Sequence, residues 1–76
     1  MILEKLQEIF RDILDNEELV ITEHTTRDDF EGWDSLATVS IIVAVSEEFN
    51  INIGVDEVEK FKNVKSIVNL IKSKME

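Results

Sequence analysis

The sequence predicts an all-α domain, a four-helix bundle of three longer helices and one short one, with a long loop between the first two. Three observations predict it. Apolar residues recur at helical spacing near both ends, and cap-forming residues stand ahead of the apolar runs. The one strand-like alternation, Ile51-Asn52-Ile53, is too short to pair with anything visible. A chain of 76 residues suffices for a single domain, expected to span 1–76.

The first helix is read from Ile2, Leu3, Leu6, Ile9, Phe10, Ile13 and Leu14, whose spacing traces one stripe. Glu4, Lys5, Gln7, Glu8, Arg11 and Asp12 fill its other face. From Asp15 to Asp34 the period fades and Asn, Thr, Asp and Gly accumulate, so a loop is expected, pinned by Leu19, Ile21, Phe30 and Trp33. A loop of that length in a small domain has to be packed or functional. The second helix is expected to start at Asp34-Ser35, either of which can cap exposed N–H groups. It runs to about Phe49, with Leu36, Val39, Ile42, Val43 and Phe49 assigned to its buried side.

Val39, Ile41, Ile42, Val43 and Val45 are β-branched and would also suit a strand. Leu36-Ala37 before the run and Ser46-Glu47-Glu48-Phe49 after it favour helix. Asn50 is expected to end that helix in a left-handed conformation. Ile51 and Ile53 then pin a loop. Asp56, with Glu59 three residues on, suggests a capping box for a short helix through Val58 and Phe61. Asn63 can cap the last helix, whose stripe is Val64, Ile67, Val68, Ile71 and Met75.

Seventeen Asp and Glu against eight Lys and Arg give a net charge of −9. Such a field repels phosphate backbones and anionic lipid, so nucleic acid is not an expected partner. The lysines from Lys60 to Lys74 fall on a solvated face of the last helix. The longest apolar run, Ile41 to Val45, is far too short to span a bilayer. Met1-Ile2-Leu3 leads straight into charged residues, unlike a signal peptide. A cytoplasmic monomer without membrane insertion is expected. With no cysteine, a disulfide, a thiolate zinc site and a cysteine nucleophile are all excluded.

Catalytic constellations are scarce. His24, the one imidazole, lies between Glu23 and Thr25 and reads as a solvated loop residue. Asp28, Asp29, Glu31 and Asp34 surround Gly32, which invites a calcium-loop reading. The spacing defeats it: with Gly32 at the turn, Arg27 would be the first ligand and Thr38 would stand where the closing Glu belongs. Gly32-Trp33-Asp34-Ser35-Leu36 is different, because it sets a hydroxyl where an acidic loop meets a helix start. A plain N-cap would be the ordinary explanation of that serine.

These five residues begin a longer pattern. Glu47-Glu48-Phe49 closes the second helix, Ile51 and Ile53 follow, and an acidic short helix ends at Phe61 before Asn63-Val64. Together they resemble the acyl carrier protein family over nearly the whole chain. The resemblance implies a bundle of acyl-carrier type with Ser35 as the attachment site for 4′-phosphopantetheine, delivered from coenzyme A by a phosphopantetheinyl transferase. It implies a carrier and not an enzyme. An unaided serine hydroxyl is a poor nucleophile and no His or Lys adjoins it in sequence, so the base and Mg²⁺ would come from the transferase.

Once attached, the phosphate would lie at a helix N-terminus, which favours negative charge by about 0.3–1 kcal/mol, while Asp34 opposes it. The arm's thiol would hold the acyl group as a thioester, supplying the thiol that the chain lacks. By the same resemblance, biosynthetic enzymes with basic patches would dock on Asp34, Leu36, Glu47 and Glu48. Ala37, Ser40 and Ser46 stand where the family often has acids, and Gly54 where it often has proline. Those departures widen the expected pathway from fatty-acid synthesis to polyketide, peptide or surface-polysaccharide biosynthesis. In the family an acyl chain can slip among core residues, here Val39, Ile42, Val43, Phe49, Phe61 and Ile67, for which plain packing is the ordinary role. The alternatives are an acidic protein-interaction module of the same fold with no prosthetic group, and a small acid–base enzyme.

Overall fold

In the computed structural model, which describes residues 2–75, the chain forms α1 (Ile2–Ile13), α2 (Ser35–Glu48) and α3 (Val64–Met75), with a short 3-10 helix at Val55–Lys60. Met1, at the head of the expected N-terminal segment, lies outside the described residues, as does Glu76. α1 packs on both α2 and α3, and the short helix packs on α3. Leu6 and Phe10 of α1, Ile41 and Val45 of α2, Phe61, and Val64, Ile67 and Ile71 of α3 form the buried centre. Among the described residues no helix is long and apolar enough to cross a membrane.

The helix ends follow local chemistry. α1 and α2 close in the same way, with Asp15 and Asn50 at φ 52° and 53°. The next backbone N–H then reaches back across the last turn, Asn16 to the Arg11 carbonyl at 2.9 Å and Ile51 to the Ser46 carbonyl at 3.1 Å. Asn and Asp enter the left-handed region more cheaply than other side chains, so the expected stop at Asn50 is where the helix ends. At the other ends, Asp34 Oδ1 accepts the Ala37 N–H at 2.8 Å and Asn63 Oδ1 accepts the Ser66 N–H at 2.8 Å.

The long loop is packed. Leu19, Ile21 and Trp33 are buried and Phe30 is half-buried. Polar groups of α1 fix its near end: Gln7 Oε1 accepts the Ile21 N–H at 3.1 Å, and Arg11 Nε donates to the Leu19 carbonyl at 2.7 Å. Its far end pairs with the segment before α3 through an antiparallel bridge between Thr26 and Asn63. There the Arg27 N–H donates to the Lys62 carbonyl and the Val64 N–H to the Thr25 carbonyl, both at 2.9 Å. A single 3-10 turn, Arg27–Asp29, follows the bridge and was not expected from the sequence. Asp29 Oδ2 closes it by accepting the Thr26 N–H at 2.8 Å.

Three expectations need correction. The buried face of α2 is Thr38, Ile41 and Val45, with Ile42 and Phe49 half-buried. Leu36, Val39 and Val43 face solvent, at 79, 56 and 50% exposure. The helix is apolar nearly all round, so periodicity alone could not choose a face. In α3, Leu70 joins the buried stripe and Met75 is exposed. The short helix is capped two residues earlier than Asp56 and Glu59 suggested: Glu57 Oε1 accepts the Gly54 N–H at 2.8 Å. A proline at position 54 would have no N–H to give that bond.

Glu57 also pairs with Lys74 of α3 at 2.9 Å, tying the short helix to the last one. The Gly54 N–H, and then the Lys74 ammonium, hold its carboxyl below the ordinary glutamate range. A carboxyl lowered on folding stabilises the fold above its unfolded pKa, and that contribution disappears as pH falls through the folded value. Glu57→Gln, which keeps the acceptor for Gly54 but removes the charge, is therefore expected to be less stable than wild type at about pH 7, with the gap closing as acid protonates the carboxyl. Urea unfolding of both chains as the pH is lowered checks it. A gap that stays constant with pH would contradict it.

Candidate functional site

Trp33 is the keystone of the loop-to-helix junction. Its ring is 2% exposed and meets Phe10 edge to face, with centroids 4.8 Å apart at 89°. Its Nε1–H donates to Thr38 Oγ1 at 3.1 Å, and Thr38 Oγ1 donates in turn to the Asp34 carbonyl at 2.8 Å. Thr38 is buried for this reason, although it is the polar residue among aliphatic neighbours. The chain of bonds fastens the end of the loop to the first turn of α2 and so fixes the direction in which the next residue points.

That residue is Ser35. Asp34 takes the cap, so Ser35 is the first residue inside α2 and its hydroxyl is exposed with no capping duty. The plain N-cap explanation of this serine is thereby removed. One partner reaches the hydroxyl: Arg27 Nη2 donates to Ser35 Oγ at 3.0 Å, while Arg27 Nε donates to the Trp33 carbonyl at 3.2 Å. A guanidinium is donor only, so it leaves the Oγ–H free and cannot take its proton. His24 pairs with Glu23 at 3.6 Å, and among the described residues no hydrogen bond joins it to Ser35. The site can present an oxygen but cannot activate it.

Arg27 was missed as a site residue. A signal for it existed: it is the one Lys or Arg between Arg11 and Lys60, in a stretch otherwise charged only by acids. What the sequence did not disclose was the 3-10 turn that brings it back onto Ser35. Of the expected docking residues, Asp34 and Leu36 flank Ser35 and are exposed, and Glu47 is exposed farther along the helix in register with Leu36, Val39 and Val43. Glu48 does not share that face. It pairs with Lys5 of α1 at 3.3 Å. Asp28, Asp29, Glu31 and Asp34 do not converge on an ion site: among the described residues no three His, Asp or Glu are placed to hold a metal.

Beside the Ser35 hydroxyl lie the Arg27 guanidinium and the first free N–H groups of α2, both of which favour negative charge. Ser35 thus offers an exposed hydroxyl whose one hydrogen-bond partner among the described residues is a donor and not a base. The comparisons agree. The family model for the phosphopantetheine attachment site matches residues 4–71. An acyl carrier protein of Clostridium acetobutylicum is 37% identical over 100% of this chain and 99% of its own length. One from Cyanidium caldarium is 38% identical over 97% of this chain and 86% of its own. The solution structure of a holo acyl carrier protein from Geobacter metallireducens superposes with a TM-score of 0.86 at 33% identity, covering 96% of this chain and 84% of that one. The chain belongs to the acyl carrier protein family, whose members carry phosphopantetheine and are not catalysts.

Proposed function

We propose that Ser35 is the attachment residue, and that the loaded chain passes acyl groups as thioesters between enzymes of fatty-acid or related specialised biosynthesis. The observation that carries this reading is the exposed Ser35 hydroxyl, relieved of capping by Asp34 and held by a donor-only cation. In the loading step a bond forms between Ser35 Oγ and phosphorus as the pyrophosphate link of coenzyme A breaks. The nucleotide half leaves, and the Oγ proton goes to a base of the transferase. To test the reading, the chain is incubated with coenzyme A, Mg²⁺ and a broad-specificity phosphopantetheinyl transferase, then weighed intact and fragmented. One phosphopantetheine located on Ser35 is expected. No gain of mass, or a group located on another hydroxyl, overturns the reading.

The exposed row Leu36, Val39 and Val43, with Asp34 at one end and Glu47 at the other, is the proposed docking face. The family's usual acids are absent at Ala37, Ser40 and Ser46, so on this chain apolar contact carries more of the docking and charge sets its direction. Leu36→Ala is expected to lower kcat/KM of the transferase for this carrier roughly 5- to 30-fold, the equivalent of about 1–2 kcal/mol. Val20→Ala, at another exposed aliphatic in the long loop, is the control and should leave the rate unchanged. Equal rates for both variants would remove Leu36 from the interface.

A further inference from the structure

We infer that Arg27 is the residue that holds the arm's phosphate, an inference that rests on Ser35 being the attachment site. Its guanidinium already touches the oxygen to which phosphorus would be bonded, with Nη2 at 3.0 Å from Ser35 Oγ. The non-bridging oxygens of a phosphodiester lie two bonds beyond that oxygen, on the phosphorus. A small rotation of the side chain exchanges a neutral acceptor for an anionic one, so that both partners of the bond carry charge.

The guanidinium is also prepared for this position. Nε is bound to the Trp33 carbonyl at 3.2 Å, and the Arg27 N–H is bound to the Lys62 carbonyl at 2.9 Å. Little side-chain freedom therefore remains to be lost when phosphate arrives, which is the usual weakness of an exposed ion pair. The surrounding charges make the need plain. Asp28, Asp29, Glu31 and Asp34 lie within seven residues of Arg27 in the chain, so the added anion enters an acidic segment. Arg27 is the single cation in the long acidic stretch from Asp12 to Glu59. It stands at the one hydroxyl where a negative charge is to be introduced.

The role is a positioning one, and it separates from plain structural support because it exists only after loading. Wild type and R27Q are each melted before and after loading, with intact mass confirming the added group. Loading is expected to change Tm less favourably in R27Q, the two shifts differing by roughly 3–6 °C, with the difference falling in 1 M salt. R27K, which keeps the charge without the fork, should recover part of it. Equal shifts in wild type and R27Q overturn the inference while the mass gain still upholds Ser35. An R27Q chain that folds but takes no group also overturns it, placing Arg27 in transferase recognition instead. A wild-type chain that gains no mass overturns both readings.

Discussion

Ser35→Ala is expected to abolish loading entirely while changing stability by no more than about 0.5 kcal/mol. The two halves of that result come from different atoms. The phosphodiester needs Oγ, and no other hydroxyl shares its position at the exposed start of α2 beside Arg27. The helix needs a cap, and the cap is the Asp34 carboxylate on the Ala37 N–H. Removing Oγ gives up one exposed bond from Arg27, and alanine returns some helix propensity at that position. Asp34→Ala should show the reverse pattern: it loses about 1 kcal/mol with the cap yet still gains the group, because the hydroxyl remains. Intact mass after transferase treatment and urea unfolding of both variants check the pair. A Ser35→Ala chain that still gains phosphopantetheine removes the assignment, and one that fails to fold contradicts the division of labour with Asp34.

The contrast between those two residues marks what the sequence could disclose. Cap chemistry is local, so Asp34, Asn50 and Asn63 could be read from residue type and position. The α1 stripe could be read because its other face is charged. α2 offers no such contrast. From Leu36 to Val45 it carries aliphatics on every side, and of the five residues assigned to its buried side Leu36, Val39 and Val43 are exposed while Ile42 and Phe49 pack half-buried. What settles the true face is tertiary: the Trp33 indole, packed on Phe10 of α1, donates to Thr38 Oγ1, with Thr38 turned inward and Leu36, Val39 and Val43 outward. Arg27 was hidden for a related reason. The Arg27–Asp29 turn has no apolar period, and it is held by a bridge to Asn63 far along the chain. The short helix was misplaced by one competing match, since Gly54 with Glu57 has the same spacing as Asp56 with Glu59. Lys74, reaching Glu57 from α3, reinforces the pair that the structure uses.

Because Trp33 organises both the core and the site, Trp33→Ala is expected to have the largest effect on stability, a loss of about 3–5 kcal/mol. A chain of 76 residues holds roughly 4–11 kcal/mol in all, so this one truncation removes a large share. It corresponds to a fall in Tm of roughly 15–30 °C. The loss has separable parts. A cavity opens beside Phe10, whose edge-to-face partner is gone. Thr38 Oγ1 loses its donor but keeps its own bond to the Asp34 carbonyl, so it is not orphaned. Trp33→Phe isolates that bond, keeping a ring against Phe10 without the N–H, and should cost about 1 kcal/mol beyond the small change in volume. Its Ser35 should still be loaded, because the carbonyl that anchors Arg27 belongs to the backbone and survives the change. In the alanine variant the same carbonyl is present, but the indole that ties its segment to Phe10 and Thr38 is gone. Loading should then fall in proportion to the folded fraction. Urea unfolding alongside the rate of mass gain distinguishes these outcomes. A Trp33→Ala loss below about 1 kcal/mol would mean that the loop is held to α2 by other contacts, and the indole would cease to explain how Ser35 is placed.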